Sequence, residues 1–200
     1  MSQIKLAAMA AAALVVSAGM SSAIAGPISK ETGPNLVTNG GFEASSSTPT
    51  GWTSSGFGGF EMIDLDPGHA HNGNNSFAGG AIGAPGFISQ NIATIPGRSY
   101  NIHLWLANFS GFLDGTELQV LWNGSLVYDQ IDIIAPSYVE IVIDPPAFTP
   151  ITLLSLGLRD DSFFLNVDDI SVRLVAEPAS LALLGAGFAG LGFARRRKFA

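Results

Sequence analysis

Short runs in which apolar and polar residues alternate dominate the middle of the chain. Between residues 26 and 176 no run has the 3.6-residue periodicity of a long helix, whereas a period of two recurs. In residues 100–107 the two sets separate onto opposite faces of a strand, with Ile102, Leu104 and Leu106 on one face and Asn101, His103 and Trp105 on the other. The pattern predicts an all-β domain.

Turn residues separate these runs and indicate how the strands are connected. Asn123-Gly124 predicts a two-residue hairpin, because both positions accept positive φ, and Asp144-Pro145-Pro146 ends a strand because proline has no N–H to donate. The pattern predicts an antiparallel two-sheet sandwich of jelly-roll type. We expect nine or ten strands, near residues 36–42, 58–64, 76–81, 87–93, 100–107, 118–122, 125–131, 139–143, 149–158 and 163–175.

An apolar segment precedes this domain. Lys5 provides a positive start, residues 6–16 form an apolar stretch too short to span a bilayer, and Ala23-Ile24-Ala25 is a small-x-small cleavage site. Residues 1–25 are therefore predicted to be a signal peptide with a helical core, and residues 26–176 the folded domain.

A second apolar run, residues 179–194, follows the domain. At 1.5 Å per residue a helix of this length reaches about 24 Å, slightly less than a hydrocarbon core of about 30 Å, and flanking arginines can extend it by snorkelling. Lys and Arg resist translocation, so the basic cluster of Arg195, Arg196, Arg197 and Lys198 is expected to stay in the cytoplasm. The run is predicted to be a single transmembrane helix with the preceding domain outside.

Residues 177–200 resemble the PEP-CTERM sorting signal of Gram-negative bacteria. The family motif is usually Val-Pro-Glu-Pro, whereas this chain has Val175-Ala176-Glu177-Pro178, so the first proline is missing and the pair Glu177 and Pro178 is kept. Such tails resemble substrates of exosortases, membrane transpeptidases that cleave near the motif. The resemblance implies transient residence in the inner membrane, then release or attachment at the cell surface.

Composition limits the partners of the domain. Residues 26–176 contain fifteen Asp and Glu against four Lys and Arg, a net charge of −11. Nucleic acid and anionic polysaccharide are poor partners for such a surface, because a polyanion needs basic contacts. Calcium or a neutral sugar is the better expectation for so acidic a domain. The chain has no cysteine, which excludes thiolate chemistry.

Several motifs of the domain resemble the galactose-binding-like jelly roll of carbohydrate-binding modules. They are Asn39-Gly40-Gly41-Phe42-Glu43, His71-Asn72-Gly73-Asn74-Asn75-Ser76 and Asn166-Val167-Asp168-Asp169-Ile170. In that family the Glu of the opening motif and an Asp of the closing motif commonly meet at a structural calcium ion, which corresponds here to Glu43 and Asp168. Calcium takes six to eight oxygens, so loop carbonyls near 72–75 are expected to complete the site. The alternative is that Glu43 caps a turn and Asp168 faces solvent.

Sugar binding needs an aromatic platform flanked by hydrogen-bonding groups. Trp105 with His103, on the non-core face of one strand, is the first candidate, and Trp52 in its loop is the second. The alternatives are that the outer face of the strand is covered and that Trp52 closes one end of the core.

Catalysis is not expected. His69 and His71, near Asp64 and Asp66, could bind a metal but are more simply explained as part of a solvated loop. Adjacent carboxylates such as Asp168 and Asp169 point to opposite faces of a strand. The sequence therefore predicts an exported, non-catalytic component that adheres to extracellular polysaccharide, as in a biofilm. A structural matrix protein without specific sugar binding, and a secreted glycoside hydrolase, are the alternatives.

Overall fold

The computed structural model describes residues 31–176. The predicted signal peptide, transmembrane helix 179–194, sorting pair Glu177 and Pro178, and basic cluster lie outside the described residues. Within residues 31–176, no helix has the length and hydropathy that a membrane span requires.

Residues 31–176 form eleven strands and one short 3₁₀ helix, which confirms the all-β expectation. The helix is Pro67–His69, capped by Asp66. The strands are β1 (Glu31–Thr32), β2 (Thr53–Ser55), β3 (Glu61–Asp64), β4 (Ser76–Gly79), β5 (Gly86–Ala93), β6 (Tyr100–Ala107), β7 (Glu117–Trp122), β8 (Ser125–Ile131), β9 (Val139–Ile143), β10 (Ile151–Arg159) and β11 (Leu165–Val175).

The strands build two antiparallel sheets packed face to face, as in a jelly roll. One sheet has the order β3-β4-β11-β6-β9, with β1 pairing to β11, and the other has the order β2-β5-β10-β7-β8. Alternation places Ile102, Leu104 and Leu106 of β6 in the core, fully buried, as predicted. The opposite residues, His103 and Trp105, therefore lie on the outer face of the six-stranded sheet.

The hairpin between β7 and β8 is confirmed. Asn123 and Gly124 both have positive φ, 53° and 79°, which suits a two-residue turn whose twist matches that of the strands.

The strand predicted at residues 36–42 was wrong, and a tight turn lies there instead. Asn39 and Phe42 have positive φ, and Gly40 accepts a hydrogen bond from Ile170 N of β11 at 3.0 Å. A Cβ on Gly40 would lie 1.9 Å from Ile170 O, so only glycine allows this approach. The turn brings Glu43 close to the outer face of the six-stranded sheet.

Candidate functional site

Both residues predicted to bind calcium contact one segment, residues 71–75, which precedes β4. Oε1 of Glu43 accepts hydrogen bonds from Asn74 N and Asn75 N, at 2.8 and 2.9 Å. Oδ2 of Asp168 accepts hydrogen bonds from the N–H groups of His71 and Asn72, at 2.8 and 3.2 Å. The structure thus brings the two carboxylates to opposite ends of the same five residues.

The carboxylates of Glu43 and Asp168 are oxygen ligands of the kind that Ca²⁺ prefers. Both N–H groups that donate to Glu43 bind its Oε1, and no described residue donates a hydrogen bond to Oε2. Burial raises the pKa of Asp168 to about 6, although its N–H donors act to lower that pKa. The described residues contain no cluster of three or more His, Asp or Glu side chains placed for a metal, so backbone carbonyls would have to supply the remaining ligands. Calcium binding stays a prediction.

The expectation that Asp168 and Asp169 point to opposite faces was wrong. Pairing shifts by one residue between Asp168, opposite Trp105, and Ser171, opposite His103, and Asp169 has a φ of 48°. This β-bulge turns both carboxylates toward the start of the segment, where Asp169 lies 2.6 Å from Nδ1 of His71. Both are held by hydrogen-bond donors of residues 71–72.

Trp105 and His103 lie together, as predicted, but an aromatic layer covers Trp105. The ring of His71 stacks on Trp105 with centroids 3.9 Å apart and planes within 14°, and His103 meets its edge at 5.8 Å. Nε2 of His103 is 2.6 Å from Oε1 of Glu140 on β9. One indole face of Trp105 is therefore occupied by the protein itself.

Trp52 is in the core. It is 9% exposed, its ring lies 6.0 Å from Phe42, and its indole N–H donates to the carbonyl of Asn39 at 3.2 Å. Its position fits the alternative in which Trp52 closes one end of the core, and it presents no open ring face to a sugar.

Farther along the same outer face lies a cavity that the sequence did not reveal, which we call the aromatic pocket. It has a volume of about 410 Å³. Phe112 and Phe163 at its mouth are 55% and 51% exposed, and their rings stack at 5.3 Å with planes within 6°. The pocket is lined by Met62, Asp64, His69, Phe109, Ser110, Phe112, Phe163, Phe164 and Asn166.

A network of polar side chains forms one wall of the aromatic pocket. Oδ2 of Asp64 lies 2.9 Å from Nδ1 of His69 and accepts from the amide of Asn166 at 3.2 Å, while Oδ1 accepts from Asp66 N at 3.0 Å. Burial raises the pKa of Asp64, but these hydrogen bonds outweigh it, and the net effect is a lowered pKa. Asp64 is therefore a fixed carboxylate beside exposed rings.

The aromatic pocket and Trp105 belong to one continuous layer. The ring of His69 stacks on Phe109 at 4.7 Å, and Tyr138 meets the rings of both Phe109 and His71 edge-on. The hydroxyl of Tyr138 donates to the carbonyl of His69 at 2.6 Å. The loop that covers Trp105 through His71 thus also supplies the pocket with His69.

The phenylalanines of the aromatic pocket come from the loops before β7 and β11. These residues are outside the alternating pattern, so periodicity assigns them no face. The available signal was that Phe109, Phe112 and Phe163 stand among Ser, Gly and Asp, where apolar side chains lack the alternation that would bury them in the core.

Comparisons with known proteins match the two parts of the chain separately. Residues 175–198 match the PEP-CTERM protein-sorting motif. No curated protein matches the chain in sequence.

Among solved structures, two xylan-binding domains share the fold of the domain. A xylan-binding domain of carbohydrate-binding module family 22 is 13% identical, with a TM-score of 0.54 over 74% of this chain and 99% of that one. The first family 22 module of Paenibacillus barcinonensis Xyn10C is 20% identical, with a TM-score of 0.53 over 74% and 99%.

A viral protein also shares the fold. The enzymatically active domain of tailspike protein 4 from bacteriophage CBA120 is 16% identical, with a TM-score of 0.54 over 70% of this chain; the match spans about a fifth, 21%, of the tailspike chain. At these identities the likenesses establish the fold alone, a two-sheet antiparallel jelly roll.

Proposed function

We propose that this chain is an exported surface protein, sorted through its PEP-CTERM tail by an exosortase-type enzyme, whose jelly-roll domain binds extracellular polysaccharide without cleaving it. The aromatic pocket is the observation that carries the binding part of this proposal. The PEP-CTERM match at residues 175–198 supports export and sorting. Retention in a self-made matrix, as in a biofilm, is the role that joins the two parts.

The chemistry of the aromatic pocket suits a sugar. Pyranose rings have apolar C–H faces that pack against aromatic rings, and their hydroxyls need hydrogen-bonding partners. Phe112 and Phe163 supply exposed rings, while Asp64, Asn166 and Ser110 supply oxygens and an amide within the same cavity. Its volume of about 410 Å³ falls in the range of about 300–1,000 Å³ that is usual for small-molecule sites.

Binding without hydrolysis is favoured by the number of acidic groups. A glycosidase generally needs two carboxylates on either side of the scissile bond, about 5–10 Å apart. Among the described residues that line the aromatic pocket, Asp64 is the single carboxylate. Release of reducing sugar from a bound polysaccharide, abolished by Asp64→Asn, would contradict this part of the proposal.

A glycan array with the secreted protein tests the site. We expect the double variant Phe112→Ala/Phe163→Ala to weaken binding about tenfold or more, because fully burying a phenylalanine side chain is worth about 1.5–3 kcal/mol and a bound sugar would bury part of each exposed ring. Phe148→Ala is the matched control, since Phe148 is 78% exposed and lies outside the pocket. Equal binding by all three proteins contradicts the site, and retention of the wild type on no glycan favours a purely structural matrix protein.

Calcium at Glu43 and Asp168 completes the proposal as a stabilising ion. It would hold segment 71–75 on the sheet, and a cation that binds the folded state at 100 times its Kd adds about 2.7 kcal/mol to the free energy of unfolding. We expect Ca²⁺ to raise the melting temperature and a chelator to reverse the effect. Glu43→Gln keeps an oxygen for the two N–H donors and removes the charge, so it is expected to abolish the shift. A wild type insensitive to Ca²⁺ contradicts the ion.

A further inference from the structure

The aromatic pocket has one carboxylate, Asp64, and His69, whose Nδ1 lies 2.9 Å from Oδ2 of Asp64, is the single described lining residue that can carry a positive charge. Among its described lining residues, Asp64 carries the one fixed charge, and none is Lys or Arg. Its carboxylate is held by three hydrogen bonds and is well inside the fold, with 14% of its side chain exposed. A ligand in the pocket therefore meets a charge that is poorly screened by water.

The basic residues within 31–176 lie outside the pocket lining. Residues 31–176 contain fifteen Asp and Glu but three Lys and Arg. Arg159 forms a bidentate pair with Asp161, at 2.8 and 2.5 Å, and Arg173 lies 3.5 Å from Glu31. The third, Arg98, is in the turn before β6 and does not line the pocket. A carboxylated or sulfated sugar would thus meet no Lys or Arg among the described lining residues, and His69 is already paired with Asp64.

From this distribution we infer that the aromatic pocket selects amino sugars over carboxylated or sulfated ones. This inference rests on the proposed carbohydrate binding and adds the charge class of the ligand. A protonated amine placed next to Asp64 gains a charge-assisted contact, whereas an anion meets repulsion from Asp64 and from the acidic domain. The affinity of an uncharged sugar is expected to lie between those of the amino sugar and the anionic sugar.

Four hexamers with one β-1,4-linked glucan backbone provide a matched set of probes. They carry an amine, an acetamide or a hydroxyl at C2, and in the fourth the C6 carbon is a carboxylate. Calorimetry with the secreted protein, at a pH that protonates the amines, is expected to rank the amine about tenfold tighter than the acetamide and the carboxylate weakest. Added salt is expected to reduce the difference in affinity between the amine and the carboxylate hexamers, because it screens the solvent-exposed part of their interaction with Asp64.

Two aspartates distinguish local charge from net charge. Asp64→Asn keeps an oxygen acceptor and removes the charge, so we expect it to abolish the preference for amine over acetamide. Asp66→Asn makes the same change two residues away, at an exposed cap outside the pocket lining, and is expected to keep the preference. Met62→Lys, at a lining residue that is 44% exposed, adds a cation and is expected to improve binding of the carboxylated hexamer even if Asp64→Asn fails to fold.

The possible outcomes distinguish a failure of charge selection from a failure of carbohydrate binding itself. Equal affinity for the amine and carboxylate hexamers, or equal effects of Asp64→Asn and Asp66→Asn, overturns the charge selection and leaves carbohydrate binding intact. Loss of the preference only in the Asp64 variant supports it. Failure of the wild type to bind any glycan, on the array or in this set, overturns the proposed function itself.

Discussion

At the scale of single residues, His71 connects the acidic cluster with the aromatic layer. Its backbone N–H binds Asp168, its Nδ1 faces Asp169 at 2.6 Å, and its ring stacks on Trp105. A side chain held in this way on three sides has little conformational freedom. Trp105 is therefore best understood as the support on which the loop carrying His69 and His71 rests.

Trp105→Ala is expected to lower the free energy of unfolding by about 2 kcal/mol. The expected loss is below the 3–5 kcal/mol typical of a fully buried tryptophan, because Trp105 is partly exposed. It includes the loss of the stacking contact with His71. Urea denaturation measures it, and Trp105→Phe, which keeps a ring beneath His71, is expected to recover most of the loss.

The same variant separates support from direct recognition. Loss of glycan binding by Trp105→Ala with an unchanged free energy of unfolding contradicts the supporting role and makes Trp105 the ligand contact that the sequence predicted. Loss of stability accompanied by weaker binding fits support of the pocket through His71 and His69.

At the scale of elements, glycine at one position fixes how the opening turn meets β11. Gly40 and Gly41 are neighbours, yet a Cβ on Gly40 would lie 1.9 Å from the carbonyl oxygen of Ile170, whereas one on Gly41 would have Asp169 Oδ1 as its nearest atom, at 3.4 Å. The first contact is with backbone that cannot rotate away. The second is an ordinary van der Waals distance.

Gly40→Ala is therefore expected to reduce the free energy of unfolding by about 3 kcal/mol or more, in the range of severe backbone and packing defects. Gly41→Ala is expected to change it by less than about 1 kcal/mol. Chemical denaturation of the two variants in parallel measures the difference. Similar values for both would show that the turn moves away from β11 at little cost.

Strands with strict alternation were the part of the fold that the sequence could predict. The bounds of β6 and β9 match the expected residues 100–107 and 139–143, because alternate residues of each strand face the core. The bounds of β8 match the expected residues 125–131 because the hairpin turn fixes its start and it pairs with β7. Residues 36–42 also contain apolar residues, but Val37 and Phe42 enter the core from a turn with positive φ. A strand was predicted here from apolar content without alternation, but tertiary contacts impose a turn.

Local pattern was also insufficient for the site. Glu43 and Asp168 were found through motif resemblance, and both contact segment 71–75, but the bulge that turns Asp169 to the same side depends on pairing with β6. The aromatic pocket depends on three segments distant in sequence, the end of β3 at Asp64 and the loops around Phe109 and Phe163. The spacing of residues along the chain does not indicate that these segments lie side by side in the folded domain.

At the scale of the whole molecule, the folded domain and the sorting motif adjoin without a spacer. β11 ends at Val175, whose N–H donates to the carbonyl of Ser99 at 2.9 Å, and the PEP-CTERM match begins at the same residue. Under the proposed sorting, an enzyme that acts near Glu177 would work within two residues of the end of β11. We therefore expect the domain to limit access to the motif.

A flexible Gly-Ser insert between Ala176 and Glu177 is accordingly expected to raise the fraction of processed chains, because it moves the motif away from β11. Mass spectrometry of the C terminus in cells measures that fraction, and wild-type chains are expected to end before Arg195. The same insert at the tip of the β7–β8 hairpin, beside Gly124, is the control for added length and is expected to leave processing unchanged. A mature wild-type terminus beyond Arg195 would contradict processing altogether. An insert without effect at Glu177 would instead show that the enzyme reaches the motif with the sandwich in place.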